Sequence, residues 1–303
     1  MISVIIPVRN IAQLAGSCLS AIHNTFTTLR SLHETQFILI DDCSDPQTGT
    51  LDVLRGFKQT NPAQTTLIRF KIRQFYTYAC SLGLSLARGD LVLFLSHDMI
   101  LTPSYVTTLV NVASTHSTFG IIRGCSTHVD CFPQHVIVPP LPIRSYFDVC
   151  AFSEYVARYS KLDVVEDSYL IGDSFLVKRA VLEKIGVMDT SFRHLLGDVD
   201  FGLRCRRAGF KIVCAKGAWL YHEGGAHTRN RLARGDSEQQ VGNEATDLMS
   251  ASRALFRSRW GIDLAPGMPA PDAHFDQLAA QSPMQSEFVP PLAIDPNVCE
   301  VLG

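Results

Sequence analysis

The sequence lacks long apolar runs and has no excess of charge of either sign. Its 303 residues include 27 Lys and Arg against 29 Asp and Glu, a formal net charge of −2. This balance gives no electrostatic basis for nucleic-acid binding or for coating an anionic membrane. No apolar stretch approaches the about 20 residues that a membrane-spanning helix needs, and the first residues show no signal peptide. We therefore expect a soluble, cytoplasmic protein whose association with membranes is at most peripheral.

Paired cysteine motifs are also absent. The nine cysteines are an odd number, and none belongs to a C-x-x-C pair. Disulfide and zinc frameworks usually show such pairs or an even, regularly spaced set. The pattern therefore favours buried, reduced thiols, which are usual in the cytosol.

Over the first 126 residues, short β-branched runs alternate with helical patterns. This alternation predicts βα units that build a mainly parallel sheet. Apolar residues spaced by three or four predict helices after Asn10, around Leu54 and after Thr102, with Asn10 and Thr102 as capping residues. The predicted strands cover residues 3–8, 36–41, 65–70, 90–95 and 120–123.

The remainder of the chain divides into three parts. Four prolines between 133 and 142 predict that residues 127–168 form a long irregular connection. Regular patterns then return as a strand at 173–178, a helix at 180–185, a helix at 199–208 and a strand at 211–221. Residues 265–303 hold seven of the 15 prolines, which predicts a Pro-rich tail or wrapped arm after a domain of residues 1–264.

Acidic residues cluster where the predicted strands and one helix meet loops. In an open parallel sheet, ligands bind beyond the carboxyl ends of the strands. Each acid alone is more often a turn or helix cap, and a lone His is more often a hydrogen-bonded loop residue. Several carboxylates without matching bases repel one another unless they hold a cation, so the cluster predicts a divalent metal. Its members are Asp41, Asp42, Asp98, Asp198 and Asp200.

Eight short blocks, in order, resemble the inverting glycosyltransferases of family 2, including those that transfer rhamnose, glucose or galactose. Each block alone is weak evidence, and their joint order and spacing over about residues 1–225 are specific. The resemblance implies the α/β GT-A fold, with a mainly parallel, Rossmann-like central sheet flanked by helices. It also implies a nucleotide-sugar-binding half at 1–126 and an acceptor-binding half with a lid at 127–264. The blocks are VIIPVRN (4–10), IDDCSD (40–45), GLSLARGD (83–90), LFLSHD (93–98), GDSFLVKR (172–179), IGVMD (185–189), GDVDF (197–201) and YHEGG (221–225).

The resemblance assigns residues to a UDP-sugar donor and to Mn²⁺ or Mg²⁺. Asp98 matches the metal-binding acid of the D-x-D element, and His222 matches a further metal ligand. Ser96 replaces the first acid of that element, so we expect weaker metal affinity than in relatives. The other donor contacts are assigned to Pro7, Arg9, Asn10, Asp41 or Asp42, and His97, with Arg73, Arg229 and Arg231 as candidates to neutralise the diphosphate.

Residues 227–235 have no periodicity, which favours a mobile lid over the donor or an ordinary solvated loop. In residues 127–168, the aromatic residues predict either a platform for an acceptor sugar or core packing. Core is favoured for the three at helical spacing. The aromatic residues are Tyr146, Phe147, Phe152, Tyr155 and Tyr159.

Asp198 matches the general base of the family, which takes the proton of the acceptor hydroxyl. Gly172, Asp173 and Asp200 are assigned to the acceptor side, and Asp200 alternatively orients Asp198 or caps the helix. Gly197 stands where relatives often carry Glu before the base.

These assignments predict metal-dependent, inverting transfer of a sugar to a hydroxyl of a glycan, a lipid-linked glycan or a protein. A non-catalytic nucleotide-sugar-binding partner subunit is the main alternative, supported by Ser96 and Gly197. A sugar nucleotidyltransferase is disfavoured, because no Gly-rich basic loop follows the first strand. The apolar residues of the Pro-rich segment leave a homodimer open; they are Phe275, Leu278, Phe288 and Val289.

Overall fold

One central sheet organises the chain. The computed structural model describes residues 1–129, 132–193, 195–264, 272–281 and 287–303. In these residues the strands are β1 (Ile2–Val8), β2 (Thr35–Asp41), β3 (Thr65–Phe70), β4 (Leu91–Leu95), β5 (Met99–Ile100), β6 (Phe119–Ser126), β7 (Val164–Asp167), β8 (Ser174–Lys178), β9 (Lys211–His222) and β10 (Cys299–Leu302). The helices are α1 (Ala12–Thr28), α2 (Thr50–Thr60), α3 (Phe75–Leu86), α4 (Pro103–Thr115), α5 (Tyr146–Ser160), α6 (Arg179–Ile185), α7 (Gly197–Arg207), α8 (Ala226–Ala233), α9 (Glu238–Trp260) and α10 (Asp272–Ala279).

The strand order is β10-β3-β2-β1-β4-β8-β6-β9-β5, with β7 paired to β9. Strands β3, β2, β1 and β4 are mutually parallel, and β6 is parallel to β9. Strand β8 runs antiparallel to both of its neighbours, β4 and β6. The carboxyl ends of β1, β2, β4 and β9 consequently lie along one edge of the sheet, where an α/β fold places its ligand site.

Alternate side chains of the inner strands pack into two cores, one on each face of the sheet. Val4 and Ile6 of β1 belong to a core shared with α1, α2 and α4, whereas Ile5 belongs to a core shared with α3, α6 and α7. Burial of each such side chain contributes about 1.5 to 3 kcal/mol. The mixed α/β fold with helices flanking a mainly parallel sheet is thus confirmed.

The predicted strands and helices of the first 126 residues are present, but one cap is wrong. Thr102 caps α4 by accepting a hydrogen bond from the Tyr105 backbone at 3.2 Å, as predicted. Helix α1 instead begins after Ile11, with no side-chain cap. Asn10 adopts a left-handed backbone (φ 55°), and its Oδ1 accepts from the Asp45 backbone N–H at 2.7 Å. Its side chain therefore joins two loops of the sheet edge.

The prediction of an irregular connection over residues 127–168 is wrong. The prolines end before Ser145, whose side chain caps the 15-residue helix α5, and β7 follows. Tyr155 and Tyr159 are 62% and 80% exposed, so the core prediction fails for both, while Phe152 packs against Trp219. Residues 226–233 are also helical, as α8, rather than a loop without regular structure.

The C-terminal segment contains two elements that the sequence did not predict. Helix α10 places Phe275 in a cluster with Phe256 and Trp260, and β10 adds an antiparallel strand beside β3. Val289 pairs with Gly186, where an added Cβ would lie 1.6 Å from the Val289 carbonyl oxygen. Phe275 and Val289 therefore pack on their own chain, whereas Phe288 is 46% exposed. None of the segment's seven prolines belongs to α10 or β10: those at 266, 269, 271 and 283 lie outside the described residues, and those at 290, 291 and 296 lie within them.

Eight cysteines lie in the described part of the chain, and all are free thiols, six of them buried. The six agree with the predicted burial of the cysteines, and Cys131 lies outside the described residues. Among those residues, no helix is both long and apolar enough to span a bilayer.

Candidate active site

Asp98 and His222 lie close together at the carboxyl ends of two strands. Asp98 follows β4, and His222 ends β9, where Met99 of β5 pairs with it. The Asp98 Oδ2 atom lies 3.4 Å from His222 Nε2, and both side chains are at least nine-tenths buried. Ser96 Oγ donates a 2.7 Å hydrogen bond to the other oxygen of Asp98. The segment that matches the D-x-D element therefore has one carboxylate, Asp98, which is hydrogen-bonded to the hydroxyl of Ser96.

The His222 ring is oriented by the chain that follows β6. Its Nδ1 donates to the carbonyl oxygen of His128 at 2.7 Å, which leaves Nε2 directed at Asp98. The Thr127 hydroxyl donates to the His222 carbonyl at 2.6 Å and accepts from its backbone N–H at 2.8 Å. Such a backbone partner on the second ring nitrogen is the usual support of a metal-binding His.

The two groups also adjust each other's protonation. Burial alone would raise the pKa of Asp98, but the hydrogen bond and charge of His222 bring it below the ordinary value. Burial alone would lower the pKa of His222, but Asp98 raises it. The carboxylate is thus ionised at neutral pH and available to a cation.

The donor set fits a divalent cation. Ligand atoms about 2.1 Å from one cation lie about 3.0 to 3.5 Å apart in octahedral or tetrahedral geometry. The 3.4 Å separation between Asp98 Oδ2 and His222 Nε2 lies in that range, and the pair joins an anionic oxygen to an imidazole nitrogen.

Asp198 lies at the first turn of α7 and is linked to the same site. Its Oδ2 accepts from the Gly172 backbone N–H at 2.7 Å, and its Oδ1 accepts from the Val199 N–H at 2.9 Å. Asp173, the residue after Gly172, accepts through its backbone carbonyl oxygen from the Ser96 N–H at 3.1 Å. Burial raises the pKa of Asp198 to about 6, and the negative charge of Asp173 acts in the same direction. A carboxylate with such a pKa can accept a proton near neutral pH.

Two glycines provide the space that Asp198 needs. A Cβ at Gly172 would lie 1.9 Å from the Tyr76 hydroxyl and 3.1 Å from the Asp198 Cβ. A Cβ at Gly197 would lie 2.7 Å from the Thr77 side chain. The absence of the frequent Glu at 197 therefore has a steric reason, because α3 packs directly against this position.

A cavity of about 200 Å³ lies at this edge of the sheet. Asp42 forms part of its wall and accepts from the backbone N–H groups of Gln74 and Phe75 at 2.6 and 3.1 Å. Seven of the predicted site residues line it together: Pro7, Arg9, Asp42, Arg73, Ser96, His97 and Gly172.

Two predicted donor residues have other contacts. Asp41 is fully buried, accepts from the Ser44 backbone and lies 3.4 Å from Arg69, so Asp42 is the acid that reaches the cavity. Asn10 borders two adjacent cavities, of about 910 and 260 Å³, rather than this one.

The predicted arginines separate into two groups. Arg73 and Arg231 both form ion pairs with the Glu244 carboxylate of α9, and both border the 260 Å³ cavity. Arg229 is 56% exposed and pairs with Glu223 at 2.8 Å. The structure therefore brings Arg73 and Arg231 together and leaves Arg229 apart from them.

The two acids predicted to contact the acceptor are engaged by arginines. Asp173 is 12% exposed, and its two carboxylate oxygens both accept from Nη2 of buried Arg123, at 3.0 and 3.1 Å. Asp200 is fully buried and binds Arg204, Arg259 and the Trp260 ring N–H, each within 3.1 Å. The acceptor-binding assignment of Asp200 is therefore wrong, since its carboxylate ties α7 to the end of α9.

Sequence reasoning missed several contributors to this site. Tyr76, Arg123, His128 and Glu244 support it through contacts between residues far apart in the chain, for which spacing gives no signal. A capping box at Ser237 could have indicated helix α9, although not the position of Glu244 against the arginines.

A family model described as Glycosyl transferase family 2 matches residues 3–186. The chain belongs to this family. The match includes Asp98 and Asp173, while Asp198 and His222 lie after its end. A search of curated proteins finds no match to this family member.

Solved structures support the GT-A fold of this family 2 chain. A mannosyltransferase from Pyrobaculum calidifontis, in complex with GDP-Man and Mn²⁺, is 17% identical with a TM-score of 0.54, over 88% of this chain and 76% of that chain. S. aureus TarS 1-349, in complex with UDP-GlcNAc, is 16% identical with a TM-score of 0.56, over 92% and 70%. GalNAc-T7 with UDP, GalNAc and Mn²⁺ is 16% identical with a TM-score of 0.56, over 93% and 55%.

Proposed function

We propose that the protein is a metal-dependent, inverting glycosyltransferase that moves a sugar from a UDP-sugar to an acceptor hydroxyl. Two contacts support the proposal: Asp98 Oδ2 lies 3.4 Å from His222 Nε2, and Asp198 accepts a hydrogen bond from Gly172, which lines the cavity beside Ser96. The acceptor hydroxyl belongs to a glycan, a lipid-linked glycan or a protein.

The donor side uses the cavity beyond β1, β2 and β4. Asp42, aligned by the Gln74 and Phe75 backbone, is placed to accept hydrogen bonds from the uracil or ribose. Asp98 Oδ2 and His222 Nε2 would hold Mn²⁺ or Mg²⁺, which when bound offsets the negative charge that grows on the departing diphosphate. Arg73 and Arg231 would add positive charge beside that diphosphate once released from Glu244.

The acceptor side uses Asp198. The acceptor oxygen attacks the anomeric carbon, the bond from that carbon to the diphosphate oxygen breaks, and UDP leaves with the bonding electrons. Asp198 takes the hydroxyl proton, and attack opposite the leaving group inverts the anomeric centre. The two backbone hydrogen bonds to Asp198 hold its carboxylate in position throughout.

A panel of nucleotide sugars, with and without Mn²⁺, tests donor class and metal need together by thermal shift. We expect UDP-sugars to raise the midpoint more than GDP-sugars, and only with metal. NMR of the released or transferred sugar then reads the anomer, and a retained configuration would exclude the mechanism. Binding without any turnover across acceptors would favour the alternative of a non-catalytic partner subunit.

A further inference from the structure

A second cluster of metal-binding side chains lies away from the donor cavity. Cys125 and Cys214 lie on the adjacent strands β6 and β9, and His135 lies in a single 3₁₀ turn, Pro133–His135, close to both. All three are buried, with exposures of 1%, 0% and 0%. One side-chain ligand atom from each lies within 4.8 Å of the others.

The two sulfur atoms have the spacing that one tetrahedral zinc imposes. Zinc–sulfur bonds of about 2.3 Å at the tetrahedral angle place two sulfurs about 3.8 Å apart. The Cys125 and Cys214 Sγ atoms are 3.8 Å apart. A disulfide would require about 2.05 Å.

The imidazole of His135 supplies an independent observation. Its Nε2 is hydrogen-bonded to Asp167 Oδ1 at 2.7 Å, whereas its Nδ1 is buried with no hydrogen-bond partner. A ring that is bonded to a carboxylate through one nitrogen and has no partner on the other has the hydrogen bonding expected of a carboxylate–histidine–zinc unit before the metal binds. A metal ion would satisfy the unpartnered nitrogen.

Two thiolates would neutralise Zn²⁺, so Cys125, Cys214 and the metal together would carry no net charge into the core.

We propose that Cys125, Cys214 and His135 form a zinc site, with one coordination position left for water or another small ligand. Zinc is favoured over Mn²⁺ or Mg²⁺, because thiolate and imidazole are ligands for soft and borderline cations. The site would tie β6 to β9 and hold the chain between them, including Thr127 and His128, which orient His222. It shares no residue with the Asp98 and His222 pair, and it stands independently of the proposed glycosyl transfer.

The test measures metal content of the untagged full-length protein, purified under reducing conditions without chelator. We expect about one zinc per chain by mass spectrometry of the elements. Cys125→Ser and Cys214→Ser should lose it, while Cys18→Ser, a buried cysteine elsewhere, and Asp98→Asn should retain it.

Two further measurements keep the proposal falsifiable if the cysteine variants fail to fold. X-ray absorption of the wild-type zinc protein should show two sulfur ligands and at least one nitrogen, and Co²⁺ exchange should give thiolate-to-cobalt charge-transfer bands. Failure of the reduced protein to take up added Zn²⁺ or Co²⁺ would overturn the proposal. So would zinc retained in both cysteine variants, or a Cys125–Cys214 disulfide mapped in metal-free protein purified without reductant.

Discussion

The His222 Nε2 atom lies 3.4 Å from Asp98 Oδ2, while the other nitrogen of the same ring is fixed to the His128 carbonyl. This pairing joins the ends of two strands distant in sequence. It places an imidazole and a carboxylate where a cation can bridge them without rearrangement of either side chain.

Asp98→Asn and His222→Gln should each weaken Mn²⁺-dependent UDP binding by at least about 10-fold, because each removes a ligand from a site with few protein ligands. Isothermal titration of UDP with and without Mn²⁺ measures the change. Asp52→Asn and His33→Gln, at exposed positions, are the matched controls. Unchanged metal dependence in both site variants would remove the pair as ligands.

Asp198→Asn should lower transfer by about 10² to 10⁴-fold while UDP binding is retained, because the amide cannot accept the hydroxyl proton. In the wild-type enzyme, the pKa of about 6 at Asp198 predicts that kcat falls as pH drops below about 6, where the base becomes protonated. Rates from pH 5 to 8 test this. A flat profile, or turnover near wild type in the Asn variant, would contradict the assignment.

The spacing of apolar residues in the sequence predicted the central strands well and the later helices less well. Alternating β-branched runs identify β1 to β4 because both faces of these strands are buried, so nearly every residue is apolar. Prolines in residues 127–168 concealed α5, because they stop ahead of its Ser145 cap. Tyr155 and Tyr159 have helical spacing but face solvent, so spacing alone did not show which face of α5 is buried.

Candidate site residues could be proposed from short blocks at the end of a strand, as for Asp42 and Asp98, or at the start of a helix, as for Asp198. Asp200 lies only two residues after Asp198 in the same block, yet its side chain is fully buried. Its partners Arg259 and Trp260 are on α9, about 60 residues later, and no local pattern reveals such a contact. The pairing of Glu244 with Arg73 and Arg231 is hidden from sequence for the same reason.

The raised pKa of Asp198 should also make the stability of the protein depend on pH. This pKa rises from 3.8 to about 6 on folding, because the folded protein favours the protonated carboxyl. The contribution of Asp198 to the free energy of unfolding is therefore fully present below the unfolded pKa and is lost as pH rises through about 6. The cost of ionising it reaches up to about 3 kcal/mol above that pH. Asp198→Asn should therefore gain free energy of unfolding relative to wild type between pH 4 and 8. Urea unfolding at both pH values measures it, and an equal difference at both would show that ionisation costs nothing.

Gly172→Ala should reduce kcat, because its Cβ would lie 1.9 Å from the Tyr76 hydroxyl and close to Asp198. The clash must displace Tyr76 or the backbone that positions the base. Tyr76→Phe removes the colliding oxygen, so the double variant should recover part of the lost rate. Gly242→Ala on α9, where an added Cβ meets open space, is the control. A double variant no better than Gly172→Ala would place the effect elsewhere than at this contact.

Glu244→Gln tests whether Arg73 and Arg231 serve the diphosphate. In the structure, the Glu244 carboxylate pairs with both guanidinium groups, and Arg231 also pairs with Asp236 at 2.6 Å. Burial alone would raise the pKa of Glu244, but the two arginines bring it below its ordinary value. The neutral amide should free positive charge beside the donor cavity and tighten UDP binding by roughly 3- to 10-fold, about 0.7 to 1.4 kcal/mol. The substitution should also lower the thermal midpoint slightly, because the arginines then repel each other.

Titration of UDP into the Glu238→Gln variant, changed at an exposed position on the same helix, controls for the loss of one negative charge. Tighter binding should disappear in high salt, and equal or weaker binding in Glu244→Gln would mean that the two arginines serve only to hold α9.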